Sequence, residues 1–305
     1  MANFYTHQRK NKAKTWILMF CFFMVVIALG WFLSYYYQSP HLLYIALGFS
    51  LVMNIWAYWF SHKTVIAMTQ AREVSRDEHR ELHRLVENLS ITAGLPKPKI
   101  YIIDDPSPNA FATGRNKEHA VVAVTTGLLD ILDENELQGV IAHELAHIGN
   151  QDMLLSTVAV VLVGVITFVS DMLLRATIFS GGDSRKGGLA ALIGALVIAI
   201  VMPLAATALR MAISRKREYL ADATAVRLTR YPEGLASALE KIHRFGATMK
   251  KSNHATAHLF IANPFRSQKK SNIVDRLFKT HPPAEQRIKR LREMDGRTFA
   301  SSLGN

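Results

Sequence analysis

The sequence predicts an α-helical integral membrane protein that carries an α+β domain outside the bilayer. Half of its 305 residues are hydrophobic and its mean hydropathy is positive, which is unusual for a wholly soluble chain. The apolar residues gather into four runs of membrane length, at 16–37, 41–60, 153–174 and 189–209, giving four predicted transmembrane helices. Between the second and third runs, and after the fourth, the composition returns to that of a water-facing domain. Short β-branched stretches and helical apolar spacing alternate there.

The elements follow in chain order. Residues 1–14 form a polar tail with Arg9, Lys10, Lys12 and Lys14 and no acidic residue. The uncharged run 16–37 lacks the short apolar core and small-residue cleavage site of a signal peptide, so it reads as a retained anchor. After the turn-like Gln38-Ser39-Pro40, run 41–60 ends in Trp56, Tyr58 and Trp59, the aromatic belt of a membrane interface. Residues 62–89 read as one helix with apolar spacing at Val74, Leu82, Leu85 and Leu89, and Gly94 with Pro96 marks its end. Strands are predicted at 99–103 and 120–125, in a small sheet whose exposed edge would accept an extended peptide. Asp133 and Glu136 have capping-box spacing and predict a helix beginning at Glu134, with Leu137, Ile141, Leu145 and Ile148 as its apolar stripe. The third run carries only Asp171. A glycine-containing linker at 175–188 joins it to the fourth, where Pro203 is tolerable as a kink.

These readings divide the chain into a basic tail with a transmembrane hairpin (1–60), a first soluble part (61–152), a second hairpin (153–209) and a second soluble part (210–305). The formal charge is +12, and several of the basic clusters sit at the ends of the apolar runs, at the N-terminal tail, Lys63, Arg72, Arg210, Arg215, Lys216 and Arg217. The positive-inside rule therefore puts both termini and both soluble parts in the cytoplasm. Basic charge of that origin, without a helix-turn-helix, zinc-finger or aromatic-basic pattern, excludes nucleic acid as the expected partner. The single cysteine, Cys21, lies in an apolar run and rules out a disulfide framework.

The chemistry centres on His143-Glu144-Leu145-Ala146-His147. On a helix the two histidines lie one turn apart and can share a metal, while Glu144 points about 100° away, free to act on a metal-bound water. A hydrolytic zinc of this kind takes three protein ligands. Glu218, directly after the fourth run, is the candidate third, and Asp222 four residues on is placed to orient a histidine ligand through its ring N–H. A transmembrane hairpin returns the chain to its starting side, so the long gap between His147 and Glu218 is an expected feature. His79 and His83 share the spacing but have no following carboxylate motif.

The HExxH motif, the run 218–222 (EYLAD), the run 108–114 (PNAFATG), and Thr280-His281-Pro282-Pro283 followed by Arg287 together resemble the HtpX-type membrane metalloproteases, gluzincin relatives of the CAAX prenyl proteases. The resemblance spans nearly the whole chain, including the order of apolar runs and motifs. It implies an α+β gluzincin-like zinc metalloprotease domain holding one Zn2+. It also implies a cytoplasm-facing endopeptidase of the bacterial inner membrane that acts on misfolded or damaged membrane proteins in quality control and stress response. Asn109 is then expected to contact substrate backbone, and His281 and Arg287 to stabilise the oxyanion, although position alone makes Arg287 an exposed residue of a basic helix. The competing readings are a CAAX-type processing protease, a scaffold with a structural zinc, and a transporter or channel. A structural zinc usually takes four ligands, often cysteines, and the spans show no inverted repeat and almost no ionisable residues.

Overall fold

The computed structural model describes residues 4–179, 214–245, 249, 256, 259–262 and 282–302. The fourth apolar run, most of the linker before it and His281 lie outside those residues.

Helices α1 (Phe4–Tyr36) and α2 (His41–Trp59) form the first hairpin, and the basic tail is the opening of α1 rather than a separate segment. Among the described residues two helices, Gln8–Tyr36 and His41–Trp59, are long and apolar enough to cross a membrane. A third qualifies only if α6 (Glu134–Asn150) and the start of α7 (Asp152–Phe179), which meet at 85°, count as one broken span. Leu18, Met19 and Phe22 of α1 and Ala57 of α2 pack on Leu155, Val158 and Leu162 of α7. Trp16, Phe20, Trp31, Tyr44, Ile45 and Ile55 face outward, an apolar surface of the kind that lipid covers.

The region expected as one helix from 62 to 89 is divided. Helix α3 (Ser61–Thr69) stops at Gln70, whose φ of 53° closes the last turn. Strand β1 (Arg72–Glu73) follows, and α4 (Arg80–Ala93) ends at Gly94 with φ 64°. Val74, whose spacing suggested helix, donates its N–H to the carbonyl of Ile100 in β2 (Lys99–Ile103). Pairing across the sheet overrides local helical spacing here.

Strand β3 (Ala110–Gly114) and β4 (Ala120–Thr125) complete a sheet of order β1-β2-β4-β3. Strands β2 and β4 are parallel, and the other two pairings are antiparallel. Side chains alternate between two buried faces. Ile100, Ile102, Ala112, Val122 and Val124 meet α4 and α6 through Leu82, Val86, Ile141 and Leu145. Ile103, Phe111 and Ala123 turn the other way, onto Val65 of α3, Val160 of α7 and Phe260. Burial on both sides explains why β3 and β4 read as continuous apolar runs without a polar alternation.

A short α5 (Thr126–Ile131) leads into α6, which begins at the expected residue with a complete capping box between Asp133 and Glu136. After the undescribed stretch come α8 (Arg215–Thr229), α9 (Pro232–Phe245) and α10 (Ala284–Ser302). Helices α6 and α9 touch backbone to backbone, since a Cβ on Gly139 would stand 2.7 Å from the amide nitrogen of Leu235. The buried Glu136 carboxylate ties the same pair by accepting from Ser237 and Lys241, both at 2.6 Å.

Candidate metal centre

Both motif histidines lie on α6, and Glu218 comes to them from the first turn of α8. His143 Nε2 and His147 Nε2 are 3.1 Å apart, and the Glu218 carboxylate lies 3.8 and 3.6 Å from them. One ligand atom from each of the three residues falls within 4.8 Å of the others. Two imidazoles and a carboxylate converging this closely are the donor set of a catalytic zinc site.

Each ring is held from behind by a different carboxylate. His143 Nδ1 lies 3.0 Å from Asp222 Oδ1, which assigns the N–H to Nδ1 and leaves the Nε2 lone pair turned inward. His147 Nδ1 is 3.2 Å from Asp152 Oδ2, the first residue of α7. Gln151, with φ 56°, makes the sharp bend that folds Asp152 back toward α6. No motif in the sequence singles out Asp152. Its signal was a carboxylate at the very head of a membrane-length apolar run, a position that demands a partner.

Arg287 of α10 is fully buried, not exposed as its position on a basic amphipathic helix suggests. Its Nε and Nη2 donate to the two oxygens of Asp222 at 3.0 and 2.7 Å, and Nη1 lies 3.7 Å from Glu218. Burial and the Arg287 charge push His143 down to about 4, keeping the ring neutral. Burial also opposes charge on His147, yet the bond to Asp152 and the charge of Glu218 outweigh it and pull the ring up to about 9. Asp222 is likewise opposed by burial, but Arg287 and His143 hold it down at about 2, ionised throughout the physiological range. Glu144 is buried beside this cluster, close enough for its charge to act on both His147 and Arg287.

The sheet edge nearest the site is not open. Along β3, Ile261 donates its N–H to the carbonyl of Ala110 at 2.9 Å, and Phe260 stacks edge-on against Phe111. The Asn109 amide pairs with the Ala262 backbone in both directions, donating at 3.0 Å and accepting at 3.2 Å. Residues 259–262 thus cover the Ala110 end of the β3 edge, while β1, at the other edge of the sheet, is exposed. The Ile261 carbonyl also accepts from Arg287 Nη1 at 3.4 Å, so this segment runs from Asn109 to the metal cluster.

Residues 76–295, which include the two motif histidines, Glu218 and Arg287, match the profile of Peptidase family M48. The chain belongs to that family. It is 47% identical over 295 residues to a Protease HtpX homolog of Dictyoglomus turgidum, covering 96% of each chain. A Protease HtpX homolog of Tropheryma whipplei is 43% identical, with 95% of this chain and 98% of that one covered. Among solved structures, Ste24p of S. mikatae superposes with a TM-score of 0.50 at 18% identity, covering 94% of this chain and 67% of that one, a likeness of fold. The M48 chain is therefore a metalloprotease, a hydrolase of peptide bonds, of the HtpX kind expected from its motifs.

Proposed function

We propose that this M48 protease is a zinc-dependent endopeptidase of the bacterial inner membrane, cleaving misfolded or damaged membrane proteins at the cytoplasmic face. The observation that carries the reading is the convergence of His143, His147 and Glu218, with a separate carboxylate behind each imidazole. Zinc held there would polarise the scissile carbonyl and acidify a water ligand.

The chain's own residues supply the rest. Glu144, adjacent to a ligand yet not one of the three, would accept the proton of the attacking water and pass it to the leaving amine. Asp222 and Asp152 keep both Nδ1 atoms protonated and both Nε2 atoms available. Arg287, with its guanidinium on Asp222 and Glu218, holds the acidic side of the site in place. His281 next to Pro282 is the proposed oxyanion group. Asn109 already grips a backbone in both directions, the action expected of it toward substrate. A substrate strand on β3 would replace residues 259–262.

The four-span arrangement, with soluble parts 61–152 and 210–305 on the cytoplasmic side and hairpins 1–60 and 153–209 in the bilayer, belongs to the same reading. It is supported by the two membrane-length helices and by the basic residues flanking them. The deciding experiment co-expresses a destabilised membrane protein with the wild type or Glu144→Gln and measures both cleavage and zinc. Cleavage by the wild type alone, with zinc in both, is the expected result. Equal cleavage by both variants would overturn the reading, and selective cleavage of a prenylated C-terminal peptide would redirect it to processing.

A further inference from the structure

We propose that the cytoplasmic end of the first membrane helix belongs to the metal centre, with Asn11 as a positioning residue that holds Asp152 against His147. Helix α1 is continuous over 33 residues. At about 1.5 Å per residue it is longer than the roughly 30 Å hydrocarbon layer needs, so its polar opening projects out of the bilayer.

That opening lies against the bend between α6 and α7. Gln8 donates to the carbonyl of Gly149 at 2.7 Å. Asn11, only 5% exposed, donates from Nδ2 to Asp152 Oδ1 at 2.5 Å and lies 3.4 Å from the carbonyl of Asn150. Its Oδ1 accepts from Arg217 Nη1 at 3.4 Å, and Arg217 Nε lies 3.6 Å from Asp152 Oδ1. One oxygen of Asp152 is thus fixed by α1 and α8, which leaves Oδ2 for His147 Nδ1.

The chemistry explains why an amide stands at position 11. Asp152 must stay fixed to hold the His147 N–H, because its orientation sets where Nε2 points. An amide supplies a donor for the carboxylate and an acceptor for Arg217 at the same time, whereas a lysine has no acceptor. An apolar residue would leave a buried carboxylate oxygen short of a donor.

This inference rests on His147 being a zinc ligand, and a double-mutant cycle on the full chain in lipid nanodiscs tests it. Glu144→Gln serves as the parent, so that proteolysis does not interfere. Zinc affinity is read by chelator competition, and thermal unfolding is followed in parallel. Asp152→Asn is expected to weaken zinc binding by about 10- to 100-fold. Asn11→Leu, similar in volume, is expected to weaken it about 10-fold alone and less than about 2-fold in the Asp152→Asn background, because the two act on one contact. Thr15→Val, which removes only a bond from Oγ1 to the Asn11 carbonyl, is expected to leave the affinity unchanged.

Equal losses from Asn11→Leu with and without Asp152 would overturn the inference and leave Asn11 a packing residue. Unchanged affinity in Asn11→Leu would overturn it too. If Asn11→Leu does not accumulate, Asn11→Ser is read by the same criteria. A parent chain without stoichiometric zinc would overturn the metal centre itself, a failure separate from loss of coupling.

Discussion

Replacing Arg287 with Met separates two roles for this residue. Its guanidinium is buried, makes two charge-assisted bonds to Asp222, and lies 3.7 Å from Glu218. Met keeps much of the side-chain volume, so the loss is electrostatic rather than a cavity. Two carboxylates would then share a buried site without the guanidinium that bridges them. Removing one partner of a buried ion pair costs about 3–5 kcal/mol. In the metal-free protein that corresponds to a fall in melting temperature on the order of 10 °C. Zinc affinity should fall, because Asp222 no longer fixes His143 as firmly, and by linkage the zinc-loaded variant should then lose more stability than the metal-free one. The assay is thermal unfolding in detergent with and without zinc, alongside chelator competition and peptide kinetics. An oxyanion donor behaves differently, lowering kcat by about 100- to 1000-fold with metal affinity and stability intact. That second pattern would refute the positioning role argued from the geometry.

Glu144→Gln should abolish cleavage while zinc content stays at the wild-type level, measured by elemental analysis beside a casein assay. In the metal-free chain His147 titrates at about 9 and carries a proton at neutral pH that zinc must displace. Zinc affinity should accordingly rise about tenfold per pH unit and level off near pH 9, with proton release visible by calorimetry in buffers of different ionisation enthalpy. The sign for folding is the reverse: the raised value stabilises the metal-free fold at low pH, and that contribution is lost as pH rises through about 9. Gly139→Val should destabilise the protein by about 1–3 kcal/mol, since the added Cβ meets backbone of α9 that cannot yield, and unfolding midpoints measure this. An excised 61–152 fragment retains the HExxH helix but lacks Glu218, Asp222, Arg287 and Asn11, and titration should show no zinc binding of native affinity.

Features set by short-range chemistry were legible in the sequence. The start of α6 was written in Asp133 and Glu136, and strands β2 and β4 in their β-branched runs. The grouping of His143, His147 and Glu218 was legible because zinc chemistry demands a third donor after HExxH, and Glu218 offers one in helical register with Asp222. Features made by contacts distant in sequence were hidden. The spacing of Val74 suits a helix, and only its bond to the carbonyl of Ile100 shows that the chain there follows the sheet. The basic helix around Arg287 suggests an exposed residue, and although the family motif points it toward the site, its docking on a carboxylate 65 residues earlier is a contact the local pattern does not encode. Asn11 looked like part of a basic tail because its partners lie more than a hundred residues away.

The same contacts show how a divided site is kept accurate. His143 and His147 share one helix, yet neither takes its orientation from that helix. His143 is set by Asp222 of α8, which Arg287 of α10 holds in turn. His147 is set by Asp152 of α7, on which α1 and α8 converge. Each imidazole thus reports on a different docking event, one at the C-terminal helix and one at α1, and Glu218 reports on the docking of α8. A half-assembled chain has at most two of the three conditions met. The metal would gain its full affinity only once α1, α7, α8 and α10 are all docked on α6, which keeps the protease from becoming active before its own fold is complete.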